Sequence, residues 1–195
     1  MVRKRIESYE NMLYRHSPLK RGIVKVKDED DTFKPYNEII KHLWVGNHKT
    51  AKNKEFFKKH NIAAVINCTK DLPNSFSDDK KIQYLRIPVD DSLKEVDYQK
   101  MYNYFPVIIE FLNKVINIEK KNVLINCVMG RQRSVIAASI FLVWSGMNPE
   151  DALKYILQKR PEAFHFGLSF NFKKSFIKYS KFLEKCIKCK LPSFR

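Results

Sequence analysis

A cysteine at the end of an apolar run, with a glycine and two arginines in the next six residues, could bind and attack phosphate. The stretch is VLINCVMGRQRSV, residues 123–135. Its apolar start reads as a strand and the segment after it as a helix, so the loop from Cys127 to Arg133 would lie at a helix N-terminus. The first backbone N–H groups there lack intrahelical partners and the macrodipole is positive, which makes a cradle for an oxyanion. Gly130 permits the curvature that turns successive N–H groups inward. Arg133 can fold back as a planar fork across two phosphate oxygens. The same cradle stabilises a thiolate: a free thiol with pKa about 8.5 is only a few per cent ionised at neutral pH, and a helix N-terminus with an arginine lowers it.

The elements that must position this loop are legible from periodicity and punctuation. IIKHLWVGN reads as one strand ending in a Gly-Asn turn, TAKNKEFFKKHN as a short helix closed by Asn61, and IAAVINCT as a buried strand. DLPNSFSDDKK is a loop and IQYLRIPVDD a strand running into a turn. VDYQKMYNYFPVIIEFLNKVINIEK has helical spacing, with Pro106 expected to kink it or mark its early part. NVLINC is a strand, and RSVIAASIFLVWSG a buried helix stopped by Gly146. NPEDALKYILQKRP carries Asn148 as N-cap and Pro149 at the first helical position, and FNFKKSFIKYSKFLEKCIK is a last helix. Alternating strands and helices predict an α/β fold: a central mixed, largely parallel sheet of four to five strands with helices on both faces.

Cys127, Gly130, Arg133 and Ser134 match the Cys-x-x-Gly-x-x-Arg-Ser loop of cysteine-based protein phosphatases. With its following helix, NCVMGRQRSV resembles the small atypical dual-specificity phosphatases of the protein tyrosine phosphatase superfamily. LWVGN, IAAVINCT, YLRIPVDDS and PEDALKYILQKRP fall in that family's order and spacing, over roughly residues 35 to 185. The resemblance implies hydrolysis of phosphotyrosine and phosphoserine/phosphothreonine in proteins by a two-step route. Cys127 forms a phosphocysteine, Arg133 and the loop from Val128 through Met129, Gly130, Arg131 and Gln132 hold the phosphate, and Asp91 protonates the leaving oxygen. Asp90 is the fallback acid, since adjacent carboxylates in a turn are not separable by sequence. Ser134 would donate to the departing thiolate, and no metal or organic cofactor is needed.

Two positions depart from the family. Asn126 stands where histidine usually precedes the nucleophile, which predicts a less depressed thiol pKa and a slower enzyme or a more alkaline optimum. Each pKa unit represents about 1.4 kcal/mol of thiolate stabilisation. Arg131 adds a cation to the loop, on its rim if merely solvated, and admits a phosphoinositide or an RNA 5′-triphosphate as alternative substrate. A weakly active or inactive phospho-binding adaptor on the same fold is the other alternative. Cys68 lies at the strand position where some superfamily members hold a redox partner for the nucleophile, although a buried hydrophobe is the commoner role. Cys186 and Cys189 form a single Cys-x-x-Cys without a second pair, so no metal site is expected.

The bulk composition frames these readings. The chain has 195 residues, 44% hydrophobic and 13% aromatic, enough for one sizeable core. Its longest apolar run is too short to cross a bilayer, and four cysteines without dense spacing suit a reducing, intracellular compartment, cytoplasmic or nuclear. The formal charge of +16 sits mainly at the ends: eight Lys/Arg against two Glu in residues 1–27, and eight against Glu184 in residues 173–195. That distribution suits an acidic partner or membrane surface, with nucleic acid less favoured, as much as it suits solubility. Residues 1–30 read as a basic helix and linker through which two copies could pair, 31–185 as the catalytic domain and 186–195 as a basic tail.

Overall fold

The computed structural model describes residues 34–92, 94–164 and 170–190. The expected N-terminal helix and basic ends therefore lie outside the described residues, apart from the last helix. Five strands form one sheet: β1 Tyr36–Ile40, β2 Leu43–Gly46, β3 Ile62–Asn67, β4 Gln83–Arg86 and β5 Asn122–Asn126, in the order β1-β2-β5-β3-β4. β1 and β2 are antiparallel and the other pairings parallel, as expected of a mixed, largely parallel sheet. Its central strands are buried on both faces, which is why IAAVIN and NVLIN read as near-continuous apolar runs.

Helices cover the two faces unequally. On one side α1, Lys54–Lys59, inserts Phe56 and Phe57 against Val65 and Leu124. On the other lie α2 Glu95–Leu112, α3 Arg133–Trp144, α4 Pro149–Lys159 and α5 Phe170–Lys190, packed on Val45, Ala64, Ile66, Val123 and Ile125. α3 runs through the middle of this layer with Arg133 to Val143 all buried, so its uniform hydrophobicity reflects neighbours on every side. Asn148 caps α4 by accepting from the N–H of Glu150, with Pro149 at the first position.

Two expectations need correction. The segment 39–47 is a hairpin rather than one strand: the chain turns at Lys41–His42, where His42 adopts φ 72 without the glycine or asparagine that would signal a turn. Pro106 does not mark the early part of α2; it sits in the second half of Glu95–Leu112. A proline there removes one backbone bond, and tertiary packing of the flanking Phe105 and Ile108, both fully buried, overrides that loss. The irregularity comes later, where residues 113–118 widen to a π-helical turn before β5.

Candidate active site

The parallel strands β3 and β5 end side by side, with Asn67 opposite Asn126 and the N–H of Cys68 donating to the Asn126 carbonyl at 2.7 Å. Cys127 follows at the carboxyl edge of the sheet, where α/β folds place their ligand sites. The next five residues curl to the start of α3. Cys127 is 2% exposed, yet its sulfur faces polar groups: Gly130 N–H donates at 3.2 Å and Ser134 Oγ lies at 3.3 Å. Burial pushes the thiol up, but the Arg133 guanidinium, the Ser134 hydroxyl and the N–H groups of Ser134 and Gln132 outweigh it. They hold it below its ordinary value.

Arg133, 6% exposed, donates Nη1 to the Val89 carbonyl at 2.9 Å and brings Nε to 4.0 Å from Asp91 Oδ2. That Nε–H has no hydrogen-bond partner among the described residues. A buried cation with one N–H lacking an aligned acceptor, next to a thiol of lowered pKa, attracts an oxyanion. Asp91 is held above the usual carboxylate range, by burial first, against the pull of Arg133 and with a push from Asp97. Asp97 is buried in the first turn of α2 and bonds the Ser92 hydroxyl, which ties the Asp91 segment to that helix. Asp90 turns away to Lys70 at 3.9 Å, so the two adjacent carboxylates are separated by their surroundings.

Of the remaining loop residues, Val128 and Met129 are exposed at 37% and 39% and form the apolar lip of the cradle. Arg131 is not on the solvated rim: it is 7% exposed, its carbonyl accepts from the Phe164 N–H, and its charge is felt at Arg160. Asn126 is 1% exposed, its Oδ1 has no hydrogen-bond partner among the described residues, and it is not among the groups that lower Cys127. Cys68 is fully buried beside the site, and its thiol is pushed well up by burial and then by the Cys127 charge. It therefore stays protonated, which makes it a weak resolving nucleophile.

Sequence reasoning missed the parts that brace the loop. Arg160, at the end of α4 and 1% exposed, donates Nε to the Gly130 carbonyl at 2.7 Å and Nη1 to Asn37 Oδ1 at 2.7 Å. Its Nη1 also lies 3.0 Å from Glu162 Oε1, a buried charge contact not aligned as a hydrogen bond. His48 grips the other end, its backbone N–H and Nδ1 both on the Val128 carbonyl at 3.0 and 2.9 Å, so Nδ1 carries the proton. The charged pair flanking Pro161 was a visible signal for the first brace; nothing near His48 announced the second.

A mostly parallel sheet with a cysteine, an arginine and an oxyanion loop at its carboxyl edge defines a phosphatase-like site class. The model of the dual specificity phosphatase catalytic domain matches residues 43–182, and the chain belongs to that family. Among curated relatives, dual specificity protein phosphatase Mpk3 of Drosophila melanogaster is 33% identical over 128 residues, covering 64% of this chain and 30% of that protein. Tyrosine-protein phosphatase vhp-1 of Caenorhabditis elegans is 30% identical over 148 residues, 75% of this chain and 21% of that one. The chain thus spans less than a third of these relatives' lengths. The crystal structure of human DUSP28 superposes with TM-score 0.68 at 18% identity, over 77% of this chain and 96% of that one, a likeness of fold. No helix among the described residues is long and apolar enough to cross a membrane.

Proposed function

We propose that the chain is a cysteine-dependent dual-specificity protein phosphatase, removing phosphate from phosphotyrosine and phosphoserine/phosphothreonine. The observation that carries the reading is the Cys127 sulfur, lowered in pKa, within reach of inward N–H groups and beside Arg133 with its unpartnered Nε–H. In the first step Cys127 Sγ attacks phosphorus while Arg133 and the loop amides hold the equatorial oxygens. The S–P bond forms, the ester P–O bond breaks, and protonated Asp91 delivers its proton to the leaving oxygen. In the second, Asp91, now a carboxylate, takes a proton from water, whose oxygen attacks phosphorus. The S–P bond breaks and Ser134 donates to the returning thiolate. The test is turnover of para-nitrophenyl phosphate, expected for the chain and lost on Cys127→Ser.

Protein substrates come before phosphoinositide and RNA 5′-triphosphate, because residues 43–182 match the dual specificity phosphatase catalytic domain; the enclosed cation of Arg131 is the feature on which those alternatives rest. A second reading, a weakly active phospho-binding adaptor, is favoured by the unpartnered Asn126 Oδ1 behind the nucleophile. Phosphopeptide binding without turnover by wild type would select it. The reading places the chain in a reducing compartment, cytoplasm or nucleus, where Cys127 stays a thiol. Residues 31–185 act as the catalytic domain, with the basic ends left for an acidic partner, a membrane surface or a second copy. Cys68 would serve as redox partner only under peroxide, read by mass spectrometry as a Cys68–Cys127 linkage; finding only over-oxidised Cys127 counts against it.

A further inference from the structure

We propose that a lysine-lined groove between α2 and α5 docks an acidic segment of the phosphoprotein substrate, beside the catalytic loop but outside it. This rests on the protein phosphatase reading above. The groove encloses about 530 Å³. Its floor is Tyr98 and Tyr102, one turn apart on α2, and its wall is α5, whose Lys174, Lys178, Lys181 and Lys185 share a face by their 4-3-4 spacing. Eleven residues of helix rise about 16 Å, the length of about five extended residues. Phe182, 48% exposed within the same wall, offers an apolar anchor.

The charge of the groove selects its occupant. Lys174 lies 4.0 Å from Glu95, while Lys178, Lys181 and Lys185 meet no carboxylate within ion-pair distance among the described residues. Lys178 Nζ sits 4.7 Å from the Tyr102 ring centroid and 5.8 Å from that of Tyr98. Those ring faces are thus already covered. Phe182 is then the one exposed ring among the groove's lining residues, whereas a run of bases stacks on successive rings and side-chain carboxylates need only the ammonium groups, so an acidic peptide is favoured over single-stranded RNA.

The position of the groove connects it to catalysis. Ser175 Oγ donates to the Tyr98 carbonyl at 3.0 Å, and the Lys174–Glu95 contact ties α5 to the same first turn of α2. Glu95 is four residues beyond Asp91, at most about 14 Å along an extended chain. A substrate with its phosphorylated residue over Cys127 would reach the groove after about four residues and fill it with the next five.

The test measures kcat/KM of the full chain on phosphotyrosine peptides of equal length. Their residues four to nine positions from the phosphotyrosine, on either side, are acidic, neutral or basic. At low salt the acidic peptide is expected to be favoured about tenfold over the neutral one, mainly in KM, and the advantage to fade at high salt. K178Q/K181Q/K185Q should abolish it and K178E/K181E/K185E should turn it toward the basic peptide, with para-nitrophenyl phosphate turnover unchanged in both. Equal rates on acidic and neutral peptides, or an advantage kept by the glutamine variant, overturns the proposal. So does single-stranded RNA that binds more tightly than the acidic peptide and is released by the same substitutions. A tenfold gain for the acidic peptide when Asp28, Glu29, Asp30 and Asp31 are neutralised assigns the groove to the chain's own segment and equally overturns it. If wild type does not hydrolyse para-nitrophenyl phosphate, the phosphatase reading fails separately, and anisotropy binding of the same three peptides still decides the groove.

Discussion

Arg160→Met separates two jobs of one buried cation. The guanidinium is 1% exposed; burial pushes its pKa down, and the charges of Glu162 and then of Cys127 pull it back up. Methionine fills much of the same space but leaves Glu162, 4% exposed, without its cation and the Gly130 carbonyl and Asn37 Oδ1 without their donor. Breaking a buried pair from one side costs about 3–5 kcal/mol. For a chain of this size that lowers Tm by roughly 6–20 °C. Adding Glu162→Leu removes the stranded charge, so the double variant should regain most of the lost stability. Activity should not return with it, because the Gly130 carbonyl still lacks its anchor. A loop displaced by about 1 Å costs on the order of 100-fold in kcat. Thermal unfolding and para-nitrophenyl phosphate kinetics on wild type and both variants read the two quantities independently. A double variant with wild-type kcat would refute the bracing role; a single variant with unchanged Tm would refute the energetic account of the pair.

Gly130→Ala meets a harder obstacle. Gly130 has φ +69, and a Cβ there would lie 2.7 Å from the backbone carbonyl of Gly46, so a loss of at least about 2 kcal/mol and a tenfold or greater fall in turnover are expected, read by urea unfolding and kinetics. The pH–rate profile should be a bell: kcat/KM rises as the Cys127 thiolate forms below its ordinary pKa and falls as Asp91, whose pKa is raised, loses its proton. Asp91→Asn should flatten the falling limb only and lower kcat about 100-fold, and a persisting alkaline limb would move the acid elsewhere. Asn126→His should shift the rising limb to lower pH, by about a unit at most, and speed turnover; superimposable profiles would remove the basis for assigning Asn126 a cost.

What the sequence disclosed follows from how local each feature is. The loop from Cys127 to Arg133, the Asn148–Pro149 start of α4 and the glycine ending α3 are set by a few consecutive residues, so spacing alone exposes them. The choice between Asp90 and Asp91 is tertiary: Lys70 draws one away while Arg133 and the buried Asp97 flank the other. Spacing leaves the Arg131 cation either beside the pocket or on a solvated rim; it is enclosed, with its carbonyl clasped by Phe164 from beyond α4, a contact no local pattern announces. The braces at Arg160 and His48 join the loop to residues 30 and 80 positions away, so the loop's own residues announce neither contact, and only the charged pair around Pro161 hints at the first. The hairpin at His42 escaped because a histidine occupies a left-handed position that punctuation rules reserve for glycine or asparagine.

A sulfur anion attacking phosphorus is the central claim, and trapping its product tests it most directly. Acid quenching during turnover of a phosphotyrosine peptide, followed by digestion and mass spectrometry, should find phosphate covalently attached to Cys127 in wild type and to no residue in Cys127→Ser. Turnover without that adduct, or an adduct on another side chain that survives Cys127→Ser, would contradict the account.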